Sequence, residues 1–311
     1  MDGEAIDTFL AVMETGTITG AAQCLHVTQA TVSKRVGALE DELGYALIER
    51  RRGMRAVSLT ARGEEFEPLA RQWKGVERDM RALHEGGERA QLTVATVDSV
   101  GAFALRAAFR SFVEHHRGVK FGIEIHHSDE VSELVERRMA DLGFAFAPAP
   151  YGDLLSKPIY REEMRVLAPA ASGRPDAIDP ADLDPRHEIH LRLGAAYEGW
   201  YERFWPQGRY RVHIAPASLV PDYLDEPKMW AIVPESVARS MAERYGYRVH
   251  ALTVGTPSLL CYQIQARRCA AKTAELIGAM EREVGDLVQA TASLKSFEPW
   301  MLGDANTVIR M

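Results

Sequence analysis

Residues 19–44 read TGAAQCLHVTQATVSKRVGALEDELG, and this stretch decides the fold of the N-terminal region. Apolar residues recur in its second half at helical spacing, at Val32, Val36, Leu39 and Leu43. This periodicity predicts an amphipathic helix that begins after Thr28 as its N-cap and ends at Gly44. A shorter helix is predicted over about residues 19–25. Two helices joined by a few residues form the helix-turn-helix pattern.

The outer face of the second helix is small and polar. Ala30, Gly37 and Ala38 point away from the apolar line, and small residues let a helix backbone approach a DNA groove closely. Polar side chains at its start have the donors and acceptors that base edges and phosphates require. The candidate DNA contacts are Thr28, Gln29, Thr31, Ser33, Lys34 and Arg35. The alternative for these residues is an ordinary solvated helix face.

An arginine cluster follows within residues 47–59, where the pattern predicts the turn of a two-stranded wing. Its members are Arg50, Arg51, Arg52 and Arg55. A charge run by itself is more often solvated than bound. Beside a helix-turn-helix, however, arginines in a wing suit phosphates or a minor groove.

Residues 60–83 show apolar residues at alternating gaps of three and four. The series is Phe66, Leu69, Trp73, Val76, Met80 and Leu83. This spacing predicts a helix that forms a dimer seam with Trp73 at its centre. The alternative is a helix packed on its own domain. Pro68 removes one backbone donor near the helix start, and Gly86–Gly87 is predicted as a hinge.

The sequence pattern after Gln91 is typical of an α/β domain. Strands are predicted over residues 92–97, 119–125, 142–147, 165–169, 189–193, 211–214, 229–233 and 249–254, with helices over residues 101–114, 131–139, 195–204, 235–245 and 270–288. Alternation of strand and helix predicts a parallel sheet. The turn-rich zone 169–185 suggests a division into two sub-domains.

Length and composition limit the class of protein. A chain of 311 residues predicts about two domains, and 46% hydrophobic with 26% charged residues is ordinary globular usage. Three cysteines exclude a secreted disulfide scaffold, and no window resembles a signal peptide or membrane span. We therefore expect a cytoplasmic protein without membrane contact. A net charge of −7 argues against non-specific coating of nucleic acid, so DNA contact requires a local basic patch.

Two loops at the carboxyl ends of predicted strands are candidate ligand contacts. They hold Ser99 and Val100, next to Asp98, and Ser128 with Asp129. Ligands of open α/β sheets bind at such strand ends, and helix N-termini favour anions. The alternative is that both serines only cap helices. Because Asp98 and Asp129 weaken an anion site, the pattern favours a neutral or cationic ligand. Phe146 is a further candidate, although it shares a strand face with Phe144 that is typical of a core.

The sequence shows no convincing pattern of catalytic or metal-binding residues. Adjacent histidines at 115–116 and 126–127 cannot face one metal from a regular helix or strand. There is no phosphate-binding glycine loop and no Gly-x-Ser-x-Gly elbow. Cys261 and Cys269 lack the basic setting of a thiol switch. We predict no metal, no cofactor and no catalytic residue.

Residues 6–63 resemble the LysR-type transcriptional regulators. The matching residues, in order, are Phe9, Ala21, Ala22, Leu25, Val27, Thr28, Gln29, Val32, Ser33, Leu39, Glu40, Leu43, Gly44, Leu47, Glu49, Arg50, Leu59, Thr60 and Gly63. Ile48 and Gly20 stand where the family usually has Phe and Ser. The segment 225–234, DEPKMWAIVP, lacks the glycines usual before its strand, so the ligand cannot be inferred from relatives.

The resemblance covers essentially the whole chain and implies an all-α winged helix-turn-helix followed by a two-lobed α/β effector domain similar to periplasmic binding proteins. It implies residues 1–59 as DNA-binding domain, 60–87 as linker helix, 91–300 as effector domain and 301–311 as a tail. The two lobes would comprise about 91–162 plus 264–300, and 163–263.

The same resemblance implies a regulator, activator or repressor, that binds double-stranded promoter DNA as a dimer or tetramer and contacts RNA polymerase. A small-molecule effector would bind between the lobes, where relatives hold it near Ser99 and Ser128, and contacts around Tyr197 and Pro227 would close the second lobe. The aromatic cluster containing Tyr197 is more typical of a core. The alternatives are a DNA-architectural protein that needs no ligand and a winged-helix fusion to an enzyme.

Overall fold

A computed structural model describes residues 2–49, 56–82, 90–150, 152–206 and 210–296. The chain divides into two compact units, one of residues 1–87 with 137–139 and the other of residues 88–136 with 140–311. The predicted hinge at 86–87 and the tail 301–311 lie outside the described residues.

The described elements comprise helices and short strands in both units. The helices are α1 Gly3–Thr15, α2 Ile18–Cys24, α3 Gln29–Leu43, α4 Ala61–Ala82, α5 Arg106–His115, α6 Ser128–Glu136, α7 Ala195–Tyr201, α8 Glu235–Tyr245 and α9 Ala271–Ala290. The strands are β1 Ile48–Glu49, β2 Ser58–Leu59, β3 Gln91–Thr96, β4 Lys120–Ile125, β5 Leu142–Ala145, β6 Leu154–Glu162, β7 Met164–Ala168, β8 Ala177–Ile178, β9 Ile189–Leu191, β10 Val212–Ile214, β11 Ala231–Pro234, β12 Arg248–Leu252, β13 Leu259–Ala266 and β14 Lys295–Ser296.

The first unit is a helix-turn-helix packed on α1. The apolar line of α3 is buried against α1 and α2, as its periodicity predicts. The Thr28 hydroxyl caps α3 by accepting from the Thr31 backbone N–H at 3.1 Å. Gly44 ends the helix with φ 79°, a left-handed conformation that glycine adopts without steric cost. The predicted helix-turn-helix is confirmed.

The wing is an antiparallel pair in which Ile48 lies opposite Leu59. The Glu40 carboxylate of α3 accepts from the backbone N–H groups of Leu47 and Ile48, at 2.7 and 3.1 Å, and so fixes the start of β1. Gly63 is required at the start of α4, because a Cβ there would lie 2.0 Å from the Leu47 carbonyl oxygen. These contacts explain why a carboxylate and a glycine stand at the two positions.

The apolar series of α4 divides into two adjacent stripes. Phe66 is buried and packs edge-to-face on Phe9, with ring centroids 5.4 Å apart, and Trp73 packs on the same core. Leu69, Val76 and Met80 are 59%, 38% and 51% exposed. Trp73 is partly buried on the core of its own domain and, at 100° per residue, lies about 20° around the helix from Phe66 and about 20° from Met80, so its place at the centre of a dimer seam stays a prediction. Leu83 lies outside the described residues.

In the second unit, six strands form the sheet of the first lobe in the order β14-β6-β13-β5-β3-β4. β3 runs parallel to β4 and β5, whereas β13 is antiparallel to both β5 and β6. Helices α5, α6 and α9 cover the sheet. The predicted parallel pairing holds for β3 with β4 and β5 but not for β13, which returns from the other lobe and runs antiparallel to both of its neighbours.

The second lobe has a four-stranded sheet in the order β11-β7-β12-β8 and a parallel pair of β9 and β10. α8 packs on this sheet through Val237, Ala238 and Met241. The aromatic residues Tyr197, Trp200, Tyr201 and Trp205 are buried in the same core. The cluster at 197–205 thus has the packing role that its helical spacing favours.

The chain crosses between the lobes twice, from β6 to β7 and from β12 to β13. Glu162, the last residue of β6, is buried, and its carboxylate accepts from the Ser236 N–H at the start of α8 at 2.8 Å. Burial raises the pKa of this carboxyl to about 7, despite the opposing hydrogen bond from the Ser236 N–H. The polar atoms Tyr160 Oη, Glu162 Oε1 and Ser236 Oγ are also buried there and have no hydrogen-bond partner among the described residues. The crossing therefore holds a buried acid whose charge is costly.

We predict that Glu162 makes the protein more stable at mildly acidic pH. Because the folded chain holds this proton up to about pH 7 while the unfolded chain releases it near its ordinary pKa, stability falls as the pH rises between those values. Between pH 5 and pH 8 this group contributes about 2 kcal/mol. Glu162→Gln should remove that part of the pH dependence in denaturant unfolding of the full chain. The exposed Glu202→Gln is the control, and an unchanged slope in the Glu162 variant would contradict the assignment.

Candidate functional site

The outer face of α3 is open to solvent. Gln29, Ala30, Lys34 and Ala38 are exposed, and Ser33 is half-exposed. The Thr28 hydroxyl is occupied by its cap and lies 2.8 Å from the Thr31 hydroxyl. The surface available for contact therefore consists of an amide, a hydroxyl and an ammonium group on a row of small residues.

Arg35 is the exception among the predicted contacts. Its guanidinium forms an ion pair with Glu4 of α1, so it braces two helices of the same unit. The remaining predicted contacts, Arg50, Arg51, Arg52 and Arg55, lie outside the described residues.

A cavity of about 770 Å³ opens between the two lobes of the second unit. The first lobe contributes strand ends and the start of α6: Val97, Asp98, Ser99, Ile125, His126, His127, Ser128, Asp129, Glu130, Phe146 and Ala147. The second lobe contributes Leu191, Arg192, Leu193, Gly194, Ala195, Ala215, Pro216 and Ala217. The volume is in the range of small-molecule sites, and most of the second wall is apolar.

Four of the predicted ligand contacts are brought together here: Ser99, Ser128, Asp129 and Phe146. The Ser128 hydroxyl accepts from the Phe146 N–H at 3.4 Å, so it links α6 to the strand beside it. Ser99 begins a π-helical segment, Ser99–Ala104, and is nearly buried. Irregular turns of this kind occur often at functional sites.

Three predicted contacts do not line the cavity, and this corrects the expected site. Val100 is fully buried in the first core. Ala195, the first residue of α7, lines the cavity. Tyr197, the third residue of the same helix, points into the second core and is only 2% exposed. Pro227 is exposed in the turn before β11. The second wall is built instead from the end of β9 and the segment after β10.

A polar contact joins the lobes at the mouth of the cavity. The Asp98 carboxylate accepts from the Ser218 N–H at 2.9 Å and from the Ser218 hydroxyl at 3.1 Å. Asp98 follows β3 of the first lobe, whereas Ser218 lies in the 3₁₀ segment Ala217–Asp222 of the second. Two hydrogen bonds to one charged acceptor therefore hold the lobes together.

Sequence reasoning missed Ser218 and Arg192. Arg192 comes directly after β9 and before Gly194, whose φ is 96°. Ligands of open α/β sheets bind at strand ends, and this rule applies to Arg192 as well. The sequence signal for Arg192 is a predicted strand that is followed by a glycine and then by a helix.

A second polar cluster lies inside the second lobe. The Tyr201 hydroxyl donates to Glu188, and His190 Nδ1 lies 3.1 Å from the same carboxylate. Among the residues that the structure describes, no three histidine, cysteine or carboxylate side chains are arranged to hold a metal ion. Burial raises the pKa of the Cys261 thiol far above its usual range, which is the opposite of a reactive cysteine.

Comparison with known proteins identifies both units. Residues 4–64 match the model of the bacterial regulatory helix-turn-helix protein, lysR family, and residues 85–253 match that of the LysR substrate binding domain. The chain belongs to the LysR family. This family consists of transcription regulators and not of enzymes, so the enzymatic alternative is excluded. Within the described residues, no helix has the length and apolar character needed to cross a bilayer.

Individual relatives are distant. The chain is 28% identical over 181 residues to the uncharacterized HTH-type transcriptional regulator YxjO of Bacillus subtilis, a match that covers 57% of this chain and spans only 61% of the relative's length. A full-length OxyR variant from Pseudomonas aeruginosa has a TM-score of 0.71 at 20% identity, covering 96% of this chain and 99% of OxyR. Full-length CbnR complexed with its target DNA has a TM-score of 0.66 at 20% identity, covering 91% and 100%. At these identities the structures show the shared fold.

We predict that Asp98→Ala releases the contact between the lobes. The substitution removes the acceptor of both Ser218 hydrogen bonds, so the Ser218 amide should exchange with solvent faster in hydrogen-exchange measurements. Asp179→Ala is a matched control, because Asp179 accepts from the Ala181 N–H within one lobe at 2.9 Å. That variant should change exchange only near Ala181. Unchanged protection at Ser218 in Asp98→Ala would show that the contact does not hold the lobes.

Proposed function

We propose that this protein is a DNA-binding transcription regulator, activator or repressor, controlled by a small molecule that binds between the two lobes. The observation that carries the proposal is the exposed polar face of α3, which stands on a capped and tightly packed helix-turn-helix. The relative CbnR, whose fold is shared, was solved with its target DNA. A helix of this kind places small and polar residues against base edges in a major groove.

The cavity supports control by a ligand. It lies between lobes that are joined covalently by two connections, so a molecule that touches both walls changes the balance between open and closed arrangements. Such a molecule affects DNA binding only through its difference in affinity for the two arrangements. A cavity of about 770 Å³ therefore favours a ligand-controlled regulator over a DNA-architectural protein that needs no ligand.

Self-association is part of the proposal. Two half-sites in a palindromic operator require at least a dimer. The exposed apolar stripe of Leu69, Val76 and Met80 on α4 supports a helix-to-helix seam that a second copy would cover, in a dimer or a tetramer. Where the protein activates, contact with RNA polymerase belongs to the same proposal.

The direct experiment measures binding of the full chain to the intergenic DNA beside its own gene, against random DNA at several salt concentrations. Specific binding should exceed non-specific binding at every salt concentration. Equal affinity for both DNAs would favour the architectural alternative.

We predict that Gln29→Ala weakens operator binding by about 1–3 kcal/mol and changes random-DNA binding little. The physical reason is that an exposed amide at the start of α3 can read a base edge. Fluorescence anisotropy with both DNAs gives the two affinities. Gln72→Ala, an exposed glutamine of α4, is the control. If Gln29→Ala weakened both DNAs equally, Gln29 would contact only the backbone.

A further prediction concerns the seam on α4. Val76→Glu should convert the dimer to monomer in sedimentation velocity, because a charge would be buried against the partner helix. Val254→Glu is matched closely, since Val254 is 37% exposed and Val76 is 38% exposed. It should leave the assembly unchanged. An unaltered sedimentation coefficient for Val76→Glu would place the seam elsewhere.

A further inference from the structure

We infer that the cavity between the lobes takes an amphoteric small molecule, one that carries both a carboxylate and a cationic nitrogen. The inference rests on the proposed function, because it assigns a ligand class to the same cavity. It follows from two opposite charges on opposite walls, Arg192 and Asp129. It follows also from the neighbouring carboxylates of Asp98 and Glu130, which already accept hydrogen bonds within the protein.

Arg192 supplies the cationic wall. It follows β9 of the second lobe, lines the cavity, and has no ion-pair or hydrogen-bond partner among the described residues. Three other arginines of this lobe are paired: Arg165 with Glu235 at 2.8 Å, Arg186 with Asp184 at 2.7 Å and Arg211 with Glu226 at 3.0 Å. A guanidinium that faces a cavity without a partner can bind a carboxylate through two parallel hydrogen bonds.

Asp129 supplies the anionic wall. Two neighbouring carboxylates already have partners in the protein, since Asp98 accepts from Ser218 and Glu130 accepts from the His127 N–H at 3.1 Å. Glu130 also lies 3.4 Å from His126. Asp129 has no partner among the described residues and lies in the first turn of α6 at the edge of the cavity. It is therefore the carboxylate that is available to a ligand.

The two charges do not pair with each other, although they line the same cavity. A ligand with only a carboxylate would meet Arg192 but also three carboxylates, Asp98, Asp129 and Glu130. A ligand with only a cationic nitrogen would cover Arg192 without pairing it, and an unpaired charge is costly to remove from water. A molecule with both groups satisfies both walls at once.

The remainder of the cavity defines the body of this ligand. Phe146 of the first lobe and Leu191, Leu193 and Pro216 of the second are apolar and line the same space. The apolar part of a ligand that carries the two charged groups would therefore be covered when the lobes close. Because one charged group binds each lobe, such a ligand stabilises the closed arrangement more than either charge alone could.

The test compares matched compounds on the full-length protein. The panel contains the standard amino acids, the amine that each yields on decarboxylation, and its N-acetyl derivative, which keeps the carboxylate and loses the ammonium. Binding is measured by calorimetry and by the shift in melting temperature. At least one amino acid should bind, and its amine and N-acetyl forms should bind at least about tenfold more weakly.

Two cavity variants locate the charges. Arg192→Gln and Asp129→Asn should each weaken the bound amino acid by about tenfold or more. Arg192→Gln should also reduce the ratio of the affinity for the amino acid to that for its decarboxylated amine. Asp129→Asn should reduce the ratio of the affinity for the amino acid to that for its N-acetyl form. The matched controls are Arg203→Gln and Glu202→Gln, exposed charges outside the cavity, which should leave binding unchanged.

The outcomes separate this inference from the proposed function. Binding of an amine or an N-acetyl compound as tightly as the parent amino acid, or failure of every amino acid to bind, overturns the amphoteric assignment. Ala195→Trp tests the cavity itself, because Ala195 is exposed on its wall and a larger side chain there fills it. If that variant keeps full regulation of transcription in cells, the cavity does not control the protein and the proposed function fails as well.

Discussion

The second unit depends on one covalent constraint: two short connections carry the chain between its lobes. β6 of the first sheet passes within one residue into β7 of the second, and β12 returns through residues 253–258 to β13. Everything that faces the cavity is attached to one side or the other of these connections. The buried Glu162 stands at the first of them and binds the start of α8, so the same residue that ends one sheet orients the helix that covers the other.

The parts that could be predicted from sequence are those whose partners are close along the chain. α3 repeats apolar residues at the period of a helix and carries its own cap and its own terminating glycine, so its bounds follow from local chemistry alone. The same holds for α8, whose apolar face and C-terminal Gly246 lie within a dozen residues. For such elements the local sequence and the tertiary contacts favour the same structure, so the element can be predicted without knowledge of its distant partners.

The parts that could not be predicted depend on distant partners. β6 contains Pro158, and β13 changes register between Cys261 and Tyr262, so neither shows a clean alternation. Their antiparallel pairing joins segments separated by about a hundred residues of chain. Strand-end chemistry predicted Ser99, Ser128, Asp129 and Phe146 as ligand contacts; they line the first wall of the cavity, and their contact with a ligand stays a prediction. The contact expected at Tyr197 came from the family resemblance, and it does not hold because the side chain packs in the second core, as the helical spacing of the aromatic cluster favours.

The position of β13 in the first sheet has a consequence for synthesis of the chain. This strand lies between β5 and β6 in the sheet order, yet it is made long after them. While the ribosome produces residues 163–258, β5 and β6 have no central strand to pair with, and their edges are open to other chains. The helix-turn-helix can complete its core early, whereas the first lobe must wait for β13 and α9. A nascent chain of this protein therefore exposes the edges of β5 and β6 until β13 and α9 have been made.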